Sequence, residues 1–311
     1  MTYTTGQKIQ ASDYNTIGWT NPSIGGHWGV GTGNHGLGQS TSGIAQLSAS
    51  PPTKVTAVQW STLMSTINTC LLHHGQTPIS VAPSTITVGQ KIKAFSQLVT
   101  GSALAYNSAG STTYLADGAA NNLVYSSAWG QTGNRALAFA QTVTFATGDA
   151  ARYFFNAGGK IKVAFSRAGG STNPQNTSWS NLCSNSGTIT FGYNNTTKVG
   201  GAGTINSILN SGNGGYWSGT TSFITHFKQF DSASGGAYYA TDYLRVDFRW
   251  SGTPSNGGYP VLEITTSMVN TSGALLTGNF TTSLVVTSPT TTAGLVNSWG
   301  NPVVGGSVAP N

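Results

Sequence analysis

Between residues 57 and 73 apolar side chains recur every three or four positions, at Val58, Trp60, Leu63, Met64, Ile67, Leu71 and Leu72. That spacing predicts a helix with one buried face. His73-His74-Gly75 supplies its stop, with the imidazoles at the negative helix end. A shorter helix is expected earlier: Ser12 or Asp13 serves as N-cap, Tyr14, Ile17 and Trp19 follow, and Asn21-Pro22 ends it. The two stretches echo one another, because Ile9-Gln-Ala11 with Tyr14 and Ile17 matches Val55-Thr-Ala57 with Trp60 and Leu63. Gly-Gln-Lys-Ile also recurs at 6–9 and 89–92, which suggests one repeated unit of extended entry and capped helix.

From about residue 135 the period changes to two. Leu137, Phe139, Gln141, Val143 and Phe145 define one strand face, and Leu244, Val246, Phe248 and Trp250 alternate with Arg245, Asp247 and Arg249 in another. Arg152–Phe155 and Lys160–Arg167 flank Asn156-Ala-Gly-Gly159 and read as a hairpin. Segments 187–193, 221–230, 259–269 and 280–288 complete a set of about seven or eight strands joined by Gly/Ser/Asn turns. The expected fold is mainly β, an antiparallel β-sandwich or jelly-roll-like domain with a small N-terminal helical unit. Its expected divisions are a helical docking and oligomerisation unit at 1–80, an irregular connection at 81–134, the sandwich at 135–288 and an extended arm at 289–311.

Composition changes this picture in one direction. Charged residues are 6% of the 311 positions while apolar residues are 38%, so the chain has a core to bury but little charge to cover it with. Such a surface suits faces covered by neighbouring subunits. The net charge of +6 comes from 13 basic residues scattered at strand spacings, without the basic stripe that nucleic-acid binding needs. No apolar window is long enough to span a membrane, and the N-terminus does not read as a secretory signal, so the chain is expected to be made and assembled in a cytosol. Cys70 and Cys183 do not make a disulfide framework, although a single bridge between them is open.

Candidate chemistry is sparse. Gly31-x-Gly33-x-x-Gly36 has the form of a dinucleotide fingerprint but lacks a preceding strand and a following acid, since none occurs between Asp13 and Asp117. Cys70 with His73 or His74 offers one pair of ligands on a helix turn, but neither His27 nor His35 has an acidic or Cys partner at ligand spacing to supply the second pair of a structural zinc site. Of the seven acids, Asp242, Asp247 and Glu263 sit in or beside alternating strands, and Asp247 lies between two arginines, a pattern of charge pairing rather than acid–base catalysis. The expectation is a non-enzymatic protein with no catalytic residues, no cofactor and no metal. Aromatics near Gly-rich turns are a stronger signal, among them Trp129, Trp179, Tyr216, Trp217, Tyr238, Tyr239 and Tyr259. Interface plugging is the favoured reading, and glycan contact through Trp179, Tyr216 and Trp217 is the alternative.

Three runs occur in a fixed order: Gly6-Gln-Lys-Ile-Gln-Ala-Ser-Asp-Tyr-Asn15-Thr-Ile17, Gly29-Val-Gly-Thr-Gly-Asn-His-Gly-Leu-Gly-Gln39-Ser, and Val55-Thr-Ala-Val-Gln-Trp60-Ser-Thr-Leu63. Together with Arg152-Tyr-Phe-Phe-Asn-Ala-Gly-Gly159 and Trp179, they resemble virion structural proteins of tailed bacteriophages, over roughly half of the chain. The sequence departs from that pattern in the insertion Asn21–Gly26 and in ending its helix with His73-His74-Gly. The resemblance implies a glycine loop with a structural role and a protein that resides in the virion, and leaves open whether at neck or collar, tail, baseplate or fibre. The expected partners are a homo-oligomer, trimer or hexamer, and other virion structural proteins. Host-surface glycan is a further candidate partner, with neither nucleic acid nor membrane among them. Tyr14, Ile17, Trp19, Trp28, Trp60 and Leu63 are the expected docking residues.

Overall fold

A computed structural model describes residues 10–19, 28–29, 36–39, 45–48, 50, 53–79, 95–133, 135–193, 195–202, 207–208, 220–231, 240–255, 258–291 and 295–310. The Gly-Gln-Lys-Ile repeats, most of the glycine loop and Tyr216, Trp217, Tyr238 and Tyr239 lie outside the described residues. The chain divides into two compact units. One is Met1–Leu115 with Arg152–Gly158 and Pro289–Ser298; the other is Ala116–Ala151 with Gly159–Ser288 and Trp299–Asn311.

The first unit is helical. It contains α1 (Ala11–Trp19), α2 (Ala57–His73) and α3 (Phe95–Asn107). α2 begins on a capping box: Gln59 N donates to Thr56 Oγ1 at 3.2 Å while Thr56 N donates to Gln59 Oε1 at 2.8 Å, which satisfies two of the helix's free N–H groups. Trp60, Leu63, Met64, Ile67 and Leu71 are buried as the spacing predicted, together with Cys70, whereas Val58 and Leu72, expected on the same face, are exposed. Between helices the backbone is held by side-chain amides acting as strand partners. Asn15 exchanges two hydrogen bonds with the backbone of Leu47 (2.7 and 2.8 Å), Asn68 with Ile79 (3.4 and 2.7 Å) and Gln39 with Val296 (2.9 and 2.7 Å). Each amide presents a donor and an acceptor as a peptide unit does, so a loop without a ladder still has its polar groups paired. Gly38 adopts φ +72°, and a Cβ there would fall 2.4 Å from the Tyr153 ring.

The second unit holds two antiparallel six-stranded sheets. One runs β1 (Leu115–Asp117), β11 (Asn279–Pro289), β4 (Lys160–Ala168), β5 (Thr188–Gly192), β6 (Asn195–Val199), with β2 (Asn121–Tyr125) also on β11. The other runs β12 (Val303–Pro310), β3 (Ala136–Thr144), β10 (Val261–Val269), β9 (Tyr243–Ser251), β8 (Ile224–Phe230), β7 (Ser207–Ile208). Register follows the alternation. Leu137, Phe139, Gln141 and Val143 stand opposite Met268, Thr266, Ile264 and Leu262, and all eight are buried. The sheets face one another: Phe191 of β5 meets Phe248 of β9 edge-to-face at 5.2 Å, and Thr196 of β6 bonds His226 of β8 at 3.1 Å. The fold is therefore mainly β with a sandwich arrangement and added helices.

Three expected elements differ. Residues 152–155 are not a strand but the end of α4 (Gly148–Asn156), capped by Thr147, whose Oγ1 accepts from Ala150 N at 3.1 Å. All of 151–159 is buried, but Asp149, Arg152 and Asn156 recur at the three- and four-residue spacing of a helix, a stripe that the Tyr153-Phe-Phe155 run before Gly158-Gly159 masks by imitating one arm of a hairpin. The expected irregular connection contains α3, β1 and β2. The expected extended arm forms β12 on the edge of β3, where eight residues with no buried side chain are held by ladder hydrogen bonds.

Candidate functional site

The expected docking residues are occupied inside the first unit. Tyr14, Ile17, Trp60, Leu63 and Trp28 are buried, and Trp19 is half-buried. The apolar stripe that made them conspicuous is the stripe a helix spends on its own core. Apolar groups exposed in this unit include Val58 (75% exposed) and Leu72 on α2, Val99 and Leu104 on α3, and Val296; Val124, Val199, Phe223, Leu275 and Val303 are exposed in the second unit. Ser61, Ser65, Thr69, Leu72 and Pro78 line a shallow groove along the outer face of α2.

Trp179 is also corrected. It lies on α5 (Pro174–Ser186), a helix with Asn173 as N-cap, Pro174 in the first turn and Gly187 at φ +61° after its end. Those three cap signals were present in the sequence and identify the helix. The indole is 1% exposed, packs edge-to-face on Trp129 (5.4 Å) and Phe280 (6.0 Å), and donates to Asp242 Oδ2 at 3.2 Å. A glycan cannot stack on it. Trp129, likewise buried, pairs its backbone with Leu276. Tyr216 and Trp217 lie outside the described residues.

Six of the acids make the following contacts. Asp13 accepts from Gln10 N at the start of α1 (2.9 Å). Asp117 pairs with Lys162 (2.8 Å) and accepts from Thr287, and the Lys162 hydrogen bond chiefly holds its carboxyl below the ordinary range. Asp247 pairs with Arg245 at 2.8 Å and accepts from Thr225. Glu263 pairs across the ladder with Arg249 at 2.8 Å; burial would raise its carboxyl, but hydrogen bonds from Ser251 and Arg249 bring it below the ordinary value. Asp242 accepts from Trp179 Nε1, Thr271 N, Thr271 Oγ1, Ser272 N and Ser272 Oγ. Asp231 accepts from Ser178, and its carboxyl is raised, first by burial and then by the charge of Asp242.

Among the described residues three histidines are buried. His73 Nε2 donates to Ala157 O at 3.1 Å and His74 Nδ1 donates to Ser111 O, and burial holds both imidazoles down at about 4. His226 stacks on Phe248, ring centroids 3.3 Å apart, and burial holds it down at about 3. Both thiols are free and buried, and burial pushes Cys183 up to about 12. Among the described residues no group of three or more His, Cys, Asp or Glu side chains could hold a metal ion. No helix among them is long and apolar enough to cross a membrane.

Neither a family model, a curated protein nor a solved structure matches this chain.

Proposed function

We propose that the chain is a structural component of a tailed-phage virion that acts by oligomerising and docking to other virion proteins. The observation that carries assembly is the outer surface of the helical unit. α2 and α3 expose Val58, Leu72, Val99 and Leu104, although charged residues are only 6% of the chain. Exposed apolar groups on a charge-poor surface favour burial against a neighbour. The ordered motifs from Gly6 to Leu63 support the virion setting. The acids support a structural role, because Asp13, Asp117, Asp231, Asp242, Asp247 and Glu263 fasten turns, caps and ladders.

Two measurements test this reading together. Light scattering on the purified chain should give a trimer or hexamer, and mass spectrometry of gradient-purified particles should find the chain among their proteins. Val58→Lys with Leu72→Lys should shift the purified protein towards monomer while its circular dichroism stays unchanged. A stable wild-type monomer that is absent from particles would sink the proposal.

A further inference from the structure

The rung that closes the β8–β9 ladder sets two carboxylates side by side. Asp231 N donates to Asp242 O at 2.9 Å, one position beyond the Phe230–Tyr243 pair, so the two acids stand directly opposite and project from the same face. Both are buried, at 5% and 0% exposure. Like charges in that position repel, and burial removes the water that would screen them. The hairpin's lysine does not help. Lys228 lies over the rings of Phe230 (4.5 Å) and Tyr243 (4.1 Å), which alternate with the two acids and therefore occupy the other face.

Hydrogen bonds satisfy one carboxylate and leave the other short. Asp242 Oδ1 takes three contacts at 2.8–3.1 Å from Thr271 and Ser272, while its Oδ2 has only longer ones, Trp179 Nε1 at 3.2 Å and Ser272 Oγ at 3.4 Å. Asp231 Oδ2 accepts from Ser178, but Asp231 Oδ1 is buried without a partner. Gln175 lies one turn before Ser178 on the same buried face of α5. Its Nε2 donates to Asn270 Oδ1 at 2.8 Å and to Ser272 Oγ, the hydroxyl that also reaches Asp242. Its Oε1 is buried without a partner too. Two orphan oxygens thus accompany two buried carboxylates in one connected cluster.

We propose that this cluster is a calcium site, with Asp231 Oδ1, Asp242 Oδ2 and Gln175 Oε1 as ligands and Ser178 Oγ beside them. All the donors are oxygens, which selects a hard cation over zinc or copper. Calcium accepts irregular shells at about 2.3–2.6 Å, whereas magnesium demands a near-ideal octahedron that atoms on a helix and a ladder end do not offer. Two carboxylates and an amide are few ligands for calcium, which places the affinity in the weak class, about 0.1–1 mM. The ion would neutralise the repelling pair and fasten the two ends of the β8–β9 connection to α5.

Terbium luminescence and thermal melts test the site on the full chain after EDTA treatment. Trp179 donates to Asp242 Oδ2, so exciting tryptophan should sensitise emission from a terbium ion bound there, and calcium should quench that emission by competition. Calcium at ten times its dissociation constant should raise the melting temperature by about 4 °C, with magnesium and matched sodium chloride giving less. Asp231→Asn should abolish both responses. Absence of sensitised emission in the wild type, or a calcium response that survives Asp231→Asn, overturns the proposal. If Asp231→Asn fails to fold, terbium–calcium competition on the wild type still decides.

Discussion

Lowering the pH from about 7.5 to about 5 should cost this protein several kcal/mol, through the buried imidazoles of His73, His74 and His226. Their rings are held at about 4, 4 and 3 in the folded chain, whereas an exposed imidazole takes its proton near 6.5. A depressed folded value means the unfolded state binds the proton first. Stability is therefore level above about pH 7 and declines from about 6.5 until the folded value is reached. At pH 5 each ring favours unfolding by about 2 kcal/mol. The helical unit, with His73 and His74, loses about 4 kcal/mol, and the sandwich, with His226, about 2. A typical domain has only about 5–15 kcal/mol to lose. The carboxylates act lower: Asp117 and Glu263 contribute above the unfolded value, near pH 4, and lose their contribution as pH falls through their folded values. Asp231 has the opposite sign, since its raised carboxyl gains stability as pH falls towards the unfolded value. Urea unfolding, followed by circular dichroism at a series of pH values, checks the window. His226→Phe, which keeps a ring between Phe191 and Phe248, should reduce the slope below pH 6.5 by about 1.4 kcal/mol per pH unit. A stability that stays flat between pH 7.5 and 5, or a slope that His226→Phe leaves unchanged, refutes the reasoning.

Other substitutions probe packing. Gly38→Ala should cost about 2–4 kcal/mol, because it places a Cβ at positive φ against the Tyr153 ring; a stability equal to wild type in urea melts would refute the clash. Trp179→Ala should cost about 3–5 kcal/mol by opening a cavity beside Trp129 and Phe280 and removing a donor from Asp242. A Trp179→Ala variant as stable as wild type but defective in adsorption to cells would restore the glycan reading. Asn68→Ala should cost about 1–3 kcal/mol by leaving Ile79 N and O without their amide partner, with hydrogen exchange accelerating at residues 76–79.

Elements with one polar and one apolar face can be read from the sequence alone. α2 is legible because Trp60, Leu63, Met64, Ile67 and Leu71 return at the helical period, and β3, β9, β10 and β11 because alternate residues are buried. α4 was legible too, through Asp149, Arg152 and Asn156 at helical spacing, but the Tyr153-Phe-Phe155 run before Gly158-Gly159 imitates one arm of a hairpin. α5 was legible through its caps, Asn173, Pro174 and Gly187, but not through a hydrophobic stripe, because the face it buries includes Gln175, Asn176 and Ser178. Periodicity also shows that Tyr14, Trp60 and Leu63 are buried somewhere, without showing whether a sister subunit or their own unit covers them. The tertiary structure decided that, and it placed Trp179 in the core. It alone joins Asn15 to Leu47, Asn68 to Ile79 and Gln39 to Val296, because an amide that replaces a strand partner obeys no spacing rule. It alone brings Asp231 opposite Asp242 and Gln175 beneath them, since ladder register and helix packing, rather than distance along the chain, set which buried charges must share one space.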